Sequence, residues 1–261
     1  MKILLGIFFL GLVLLLISGC LEKEEDAVFN EAEKYFATGR FNQARMLYLE
    51  YLDKNEYGTK RYAAWNRLLS LRMDVFRDLY GALDILKAMQ MEYHQDQDKL
   101  WVISSRSAEV YYRLGKPRES LRAWNTSIML APTVRDKKQS SLKYAGVAIS
   151  LGEFREAREI LMEFKDCSGD IDADLCSRIH YTRGKSYYLE GFLDQAEISL
   201  ARALSIDAGN DYLAMAGILQ AEVLLERNES GLAGEILKKI KEIHPNPEAV
   251  NARLKYLSIQ D

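Results

Sequence analysis

Between His180 and Asn210, apolar and small residues return every three or four positions, with one interruption. Gly184 and Tyr187 fall on one face of a first segment, Gly191 breaks it a turn later, and Ala196, Leu200 and Ala203 fall on one face of a second. That spacing is the period of an amphipathic helix, so the stretch predicts two antiparallel helices with small residues where they cross. The pattern recurs along the chain as a small residue, a large one four positions later, and a turn signal about five positions before. The small residue is Ala44, Ala82, Ser120, Ala157, Ala196 and Ala233, at intervals of 38, 38, 37, 39 and 37 residues. Six helix pairs follow. One pair cannot bury its own apolar stripe, so each completes the core of the one before it.

The units differ in quality. The first carries Ala32, Tyr35, Gly39, Phe41, Ala44 and Tyr48; the third carries Ala108, Tyr111, Gly115 and Trp124 and ends at Pro132. The fourth has Ala145, Gly152, Phe154, Ala157 and Leu161, and the sixth has Ala221, Ala233, Leu237 and Pro245. The second is weak: Arg77 stands where the turn glycine is expected, and only Trp65, Leu68, Leu69, Leu83 and Leu86 support an amphipathic reading. After Pro247 a segment over 248–259 reads as a capping helix. No stretch reads as a sheet, a Gly/Ser linker or low complexity.

A small residue, an aromatic three later, then an alanine and a large apolar residue four beyond it resemble the tetratricopeptide repeat (TPR). The resemblance implies an all-α fold, a right-handed α-solenoid of about six helix pairs plus the C-terminal capping helix. The period exceeds the usual ~34 residues, which longer turns between units would absorb. In this family the first helix of each unit lines the concave surface, and its exposed positions fall near the second, fifth, ninth and twelfth of the unit. With Ala196 and its equivalents at position twenty, unit five offers Arg178, Tyr181, Lys185 and Tyr188. Unit three offers Ser105, Glu109 and Tyr112, and unit two offers Arg67. The lysine and asparagine that clamp a C-terminal carboxylate in chaperone-binding TPRs are absent at matching positions. The mixed surface that remains suits an extended peptide with apolar side chains and some acidic character. The alternative is that the tyrosines pack between units.

The N-terminus adds a location. Met1 and Lys2 precede an unbroken apolar run from Ile3 to Ile17, then Ser18, Gly19 and Cys20. A basic start, a short apolar core and a small-residue site make an export signal. The run of 15 residues falls short of the ~20 that span a bilayer; a retained membrane anchor is the alternative. Ile17-Ser18-Gly19-Cys20 resembles the lipobox of bacterial lipoproteins, which implies cleavage after residue 19, a diacylglyceryl thioether on Cys20 and an amide-linked acyl chain. Leu21, rather than an aspartate, follows the cysteine, which in enteric-type sorting favours the outer membrane seen from the periplasm. Residues 20–26 then form the lipidated cysteine and a short acidic tether, and residues 27–261 the repeat domain.

Charge and chemistry narrow the function. A net charge of −3 argues against nucleic acid, whose phosphates need a basic face. His94, His180 and His244 lie in different units, none at metal-ligand spacing from another, and read as isolated surface or turn residues. No phosphate loop, G-x-S-x-G or H-E-x-x-H motif occurs, so neither an enzyme nor a cofactor is implied. Cys167 and Cys176 bracket the loop between units four and five, and in an exported protein they suggest a disulfide; the alternative is two reduced, apolar thiols. Asp170, Asp172 and Asp174 alternate as in a calcium loop, but the rest of an EF-hand is missing, and capping of the next helix accounts for them. The reading is a non-catalytic, lipid-anchored scaffold in the bacterial envelope that assists assembly of an outer-membrane complex. A type IV pilus secretin pilotin and an adaptor of peptidoglycan enzymes are the alternatives.

Overall fold

The computed structural model describes residues 27–166 and 172–260. The apolar leader, Cys20, the acidic tether and the loop residues Cys167 and Asp170 lie outside them. Among the described residues every regular element is a helix. Residues 27–37 form α1, followed by α2 (Phe41–Lys54), α3 (Arg61–Ser70) with a π-helical turn (Leu71–Val75), and α4 (Leu79–Glu92). Then come α5 (Gln97–Arg113), α6 (Pro117–Leu130), α7 (Val134–Ser150), α8 (Phe154–Met162) and α9 (Ala173–Leu189). The chain continues with α10 (Leu193–Leu204), α11 (Asn210–Glu226), α12 (Ser230–Ile240) and α13 (Pro247–Gln260). These are the six expected pairs and the final helix.

Described residues up to Gln95 form one compact unit and those from Asp96 a second, so the boundary falls between the second and third pairs. In the first unit Phe29 and Ala32 of α1 pack with Ala44, Tyr48 and Tyr51 of α2 and Ala64 and Leu68 of α3. In the second, α9 packs on its partner α10 and on the first helices of the flanking pairs, α7 and α11. That contact with both neighbours is what a stacked repeat requires.

The repeat register is visible in the backbone. Six residues take the left-handed conformation: Gly39, Arg77, Gly115, Gly152, Gly191 and Asn228, at φ 73, 52, 69, 77, 83 and 61°. Each stands five before the small residue of its unit. In five units the next residue donates its N–H to a carbonyl five back, as Arg40 does to Tyr35 and Phe192 to Tyr187. This closes the first helix in a Schellman turn. The second unit departs: Asp78 N–H reaches back six residues to Arg72, and Phe76 N–H five to Leu71. The π turn takes up the extra residue before Arg77, which makes the left-handed turn here.

The small residues are sealed. Ala44, Ala82, Ser120, Ala196 and Ala233 are 0% exposed and Ala157 1%. Ser120 satisfies its hydroxyl by donating to the carbonyl of Ala108 at 2.8 Å. A Cβ at Gly184 would lie 2.7 Å from Cγ of Leu200, so only glycine allows α9 and α10 to meet this closely.

Candidate partner-binding face

In the second unit the first helices are buried except along one stripe. On α11, Ala214, Ala216, Gly217, Leu219, Gln220, Ala221, Val223 and Leu224 are buried, while Met215, Ile218, Glu222 and Leu225 are accessible. Those four stand at positions two, five, nine and twelve of unit six. The register predicted for unit five thus extends to α11, whose residues the same counting would have found. Met215 is 48% and Leu225 36% exposed, an unusual outlay of apolar surface on a helix whose other faces are closed.

The residues expected at this face have different surroundings. On α9, Lys185 is exposed, while Tyr181 is half-buried against the cluster of Ala196, Leu200 and Leu219. Burial, with the nearby Glu222 charge, pushes the Tyr181 phenol up. Tyr188 donates to Glu226 of α11 at 2.6 Å, and this bond, then burial, raises its phenol to about 12. Arg178 lies 5.0 Å from the Tyr212 ring of α11. Three of the four therefore tie α9 to α11, both tyrosines among them as the packing alternative holds, and Lys185 is left open to a partner.

The remaining predicted residues divide similarly. Ser105 is held in a hydroxyl chain: its Oγ donates to the carbonyl of Trp101 at 2.9 Å and lies 2.8 Å from Oγ of Ser127. Ser127 in turn lies 2.8 Å from Oγ of Ser140. Glu109 pairs with Arg106 one turn back, and Tyr112 is 49% exposed. Arg67 belongs to the first unit. There it grips Glu33 with Nε and Nη2, each at 2.8 Å, and stacks 4.6 Å from the Phe36 ring. Tyr48 donates to the same carboxylate at 2.5 Å. Burial raises the Glu33 carboxyl, but hydrogen bonds from Arg67 and Tyr48 outweigh it and hold it below the usual range.

Among the described residues no group of three His, Cys, Asp or Glu side chains could hold a metal ion. His94 and His244 lie at turns, each Nδ1 2.9 Å from a nearby carbonyl. His180 departs from the surface placement its isolation implies: one turn before Gly184, it is 4% exposed on the closed face of α9. Burial, then the charges of Arg183 and Arg202, hold its imidazole down at about 4, so it is neutral near pH 7. Asp172 accepts from the N–H of Leu175 at 3.0 Å and caps α9. Asp174 accepts from Gly209 N–H at 2.6 Å. Cys176 is buried in the first turn of α9; Cys167, its expected partner, lies outside the described residues. No described helix is long and apolar enough to cross a membrane.

No protein-family model matches the chain, and no curated protein matches it by sequence. Solved structures do. A signal-transduction ATPase with a tetratricopeptide repeat sensor from Pyrococcus horikoshii superposes at TM-score 0.67 and 15% identity, over 92% of this chain and 39% of that one. BtubC from P. vanneervenii matches at TM-score 0.60 and 18% identity, over 87% and 93% of the two chains. PilW, a type IV pilus biogenesis factor, matches at TM-score 0.57 and 14% identity, over 88% and 98%. At these identities the likeness is one of fold, and with the register of turns and sealed small residues it shows an all-α fold like that of tetratricopeptide-repeat proteins.

Proposed function

We propose that the protein is a non-catalytic scaffold of the bacterial cell envelope that holds a segment of a partner protein along the accessible stripe of α9 and α11. The observation that carries this reading is the contrast on α11, closed on every face but one and apolar there at Met215, Ile218 and Leu225. Met215 and Leu225, exposed on a rigid helix with Ile218 half-buried between them, and the nearby Lys185 ammonium suit an extended segment with apolar side chains and an acidic neighbour. In this reading Cys20 carries the lipid that anchors the chain, on the outer membrane facing the periplasm, and Cys167 bonds to Cys176 to firm the loop before α9.

Capture from detergent-solubilised envelope by the wild-type chain, compared with Lys185→Glu combined with Met215→Asp, tests the face. Both residues are exposed, so stability should change by no more than ~0.5 kcal/mol while the specifically retained protein is lost. Undiminished capture would move the site off this stripe. The retained protein also identifies the process. A pilus or secretin component would support a second reading, pilus assembly, favoured by the near full-length likeness to PilW; a peptidoglycan enzyme would support the adaptor reading. Mass spectrometry of the N-terminal peptide tests the anchor: an unmodified peptide starting at Leu21 or Met1 would overturn it.

A further inference from the structure

Where α13 crosses α11 and α12, the packing leaves a cavity of about 380 Å³. Ala221 and Leu225 of α11, Leu237 of α12, and Tyr256 and Leu257 of α13 form its apolar walls, and Glu222 and Arg253 supply its charge. A mostly apolar cleft with one or two charged groups is the usual make-up of a binding pocket, at the small end of the ~300–1,000 Å³ range.

The repeat register explains why the cavity is open. The start of α13 follows that of α11 by 37 residues, as α11 follows α9, so α13 stands in the place of a further first helix. On α11, Ala216 and Leu219 close onto the preceding pair at 0% and 9% exposure. Thirty-seven residues on, the same two positions hold Arg253 and Tyr256. Tyr256 is 63% exposed and the Arg253 side chain 47%. Two sealing residues are thus replaced by two that stand in solvent, and the space between the helices remains. Nη2 of Arg253 contacts Oε1 of Glu222 at 3.1 Å; a guanidinium has five N–H donors, so this pair leaves it capacity for a second carboxylate.

We propose that this cavity is a side-chain pocket that takes one large apolar residue of the partner segment, phenylalanine or leucine, with Arg253 meeting a carboxylate beside it. The inference rests on the accessible stripe being the partner face, since Glu222 and Leu225 belong to both. A neutral apolar ligand would use the walls but not the guanidinium, and a small acidic one the guanidinium but not the walls.

The full chain with labelled Leu and Ala methyl groups, reconstituted in lipid nanodiscs, is titrated with N-acetyl-phenylalanine and followed by NMR. Methyl signals of Leu225, Leu237 and Leu257 should shift together. N-acetyl-phenylalaninamide should bind about fivefold more weakly, the scale of a partly exposed ion pair, and N-acetyl-alanine should shift nothing. Arg253→Gln, at an exposed position, should remove the difference between acid and amide. Ala252 of α13, exposed, also lines the cavity, and Ala252→Phe should abolish both titrations with the other methyl signals unchanged. Unmoved signals, or equal binding of N-acetyl-alanine, would overturn the pocket; equal binding of acid and amide by the wild type would overturn the role of Arg253. The titration needs no partner protein. A failed titration with capture still sensitive to Lys185→Glu and Met215→Asp removes the pocket alone, whereas insensitive capture removes the groove reading.

Discussion

The two compact units use one repeat but secure their first helices by different means. In the first, charged groups occupy register positions that the second leaves accessible: Arg67, at position five, grips Glu33, at position nine of the unit before. At the other end of α3, Arg61 binds Glu92 of α4 through Nε at 2.8 Å and Nη2 at 2.6 Å, and Trp65 donates to the same carboxylate at 2.8 Å. In the second unit the crossings rest on missing side chains, Gly184 against Leu200 and Gly217 against Ile240. Its bridging ion pairs include several near the turns, as with Arg158 and Glu190 or Arg227 and Asp194, and one on the accessible stripe itself, between Arg253 and Glu222. A register therefore identifies a helix face without saying whether that face is free. Closing a crossing by packing leaves Lys185, Met215 and Leu225 of that stripe exposed, whereas closing it by charge occupies Glu33 of α1 and Arg67 of α3.

The contrast predicts different sensitivities. Gly184→Val should have the largest effect, because its Cβ would fall 2.7 Å from Cγ of Leu200 and 3.3 Å from the backbone oxygen of Ala196. Leu200 is fully buried and cannot swing away, so α9 and α10 must separate. Overpacking of this kind destabilises by ~3 kcal/mol. In a stacked array the damage stays near the altered pair, so hydrogen exchange should speed up in α9 to α11 and stay unchanged in α1 to α4. An unchanged denaturation midpoint would show slack at the crossing.

Glu92→Gln should destabilise the first unit by ~2 kcal/mol at neutral pH, the scale of charge-assisted hydrogen bonds at a partly buried site. The hydrogen bond from Arg61 is the largest influence on Glu92, and with Trp65 it holds the carboxyl down at about 2. A carboxyl whose folded pKa lies below its unfolded value stabilises the fold fully above the ordinary glutamate range, near ~4.3. That contribution is lost as the pH falls through about 2. Wild type and variant should therefore differ in the exchange protection of α3 and α4 at pH 7 and converge in acid. A difference that persists below the folded pKa would mean the glutamine perturbs packing rather than charge.

Much of this architecture was legible because helix pairing is written in local spacing. The interval between small residues located every helix pair, and the same count reappears in the left-handed turn residues five positions earlier. What spacing could not reveal was the partner of each polar side chain. Ser105 and Arg67 sit at the correct register, yet one joins a hydroxyl chain to Ser127 and the other grips Glu33, contacts made across 22 and 34 residues. His180 looked isolated because its burial depends on which face of α9 meets α10. The cavity under α13 was hidden for a related reason: Arg253 and Tyr256 read as ordinary surface residues until the register sets them beside Ala216 and Leu219.

The turn of the second unit gives the smallest effect and the sharpest reading of why its sequence looked weak. Arg77 adopts φ 52° where four other units use glycine. A left-handed conformation brings a Cβ close to the following carbonyl oxygen and costs about 1–2 kcal/mol, which glycine avoids. The Arg77 side chain is exposed and the backbone bonds around it run between main-chain groups, Phe76 to Leu71 and Asp78 to Arg72. Removing it should therefore relieve strain without losing a contact. Glycine also gains freedom in the unfolded chain, which offsets part of the benefit, so Arg77→Gly should stabilise the first unit by ~0.5–1 kcal/mol. The reverse change at an equivalent turn, Gly191→Ala, should destabilise the second unit by ~1 kcal/mol, since at φ 83° a Cβ there meets nothing within 4 Å and the penalty is one of backbone alone. Urea midpoints of the two variants should move in opposite directions. If Arg77→Gly lowers stability instead, the π turn is holding residue 77 in a conformation where its arginine matters, and the second unit is a distinct solution to the turn rather than a degraded copy of its neighbours.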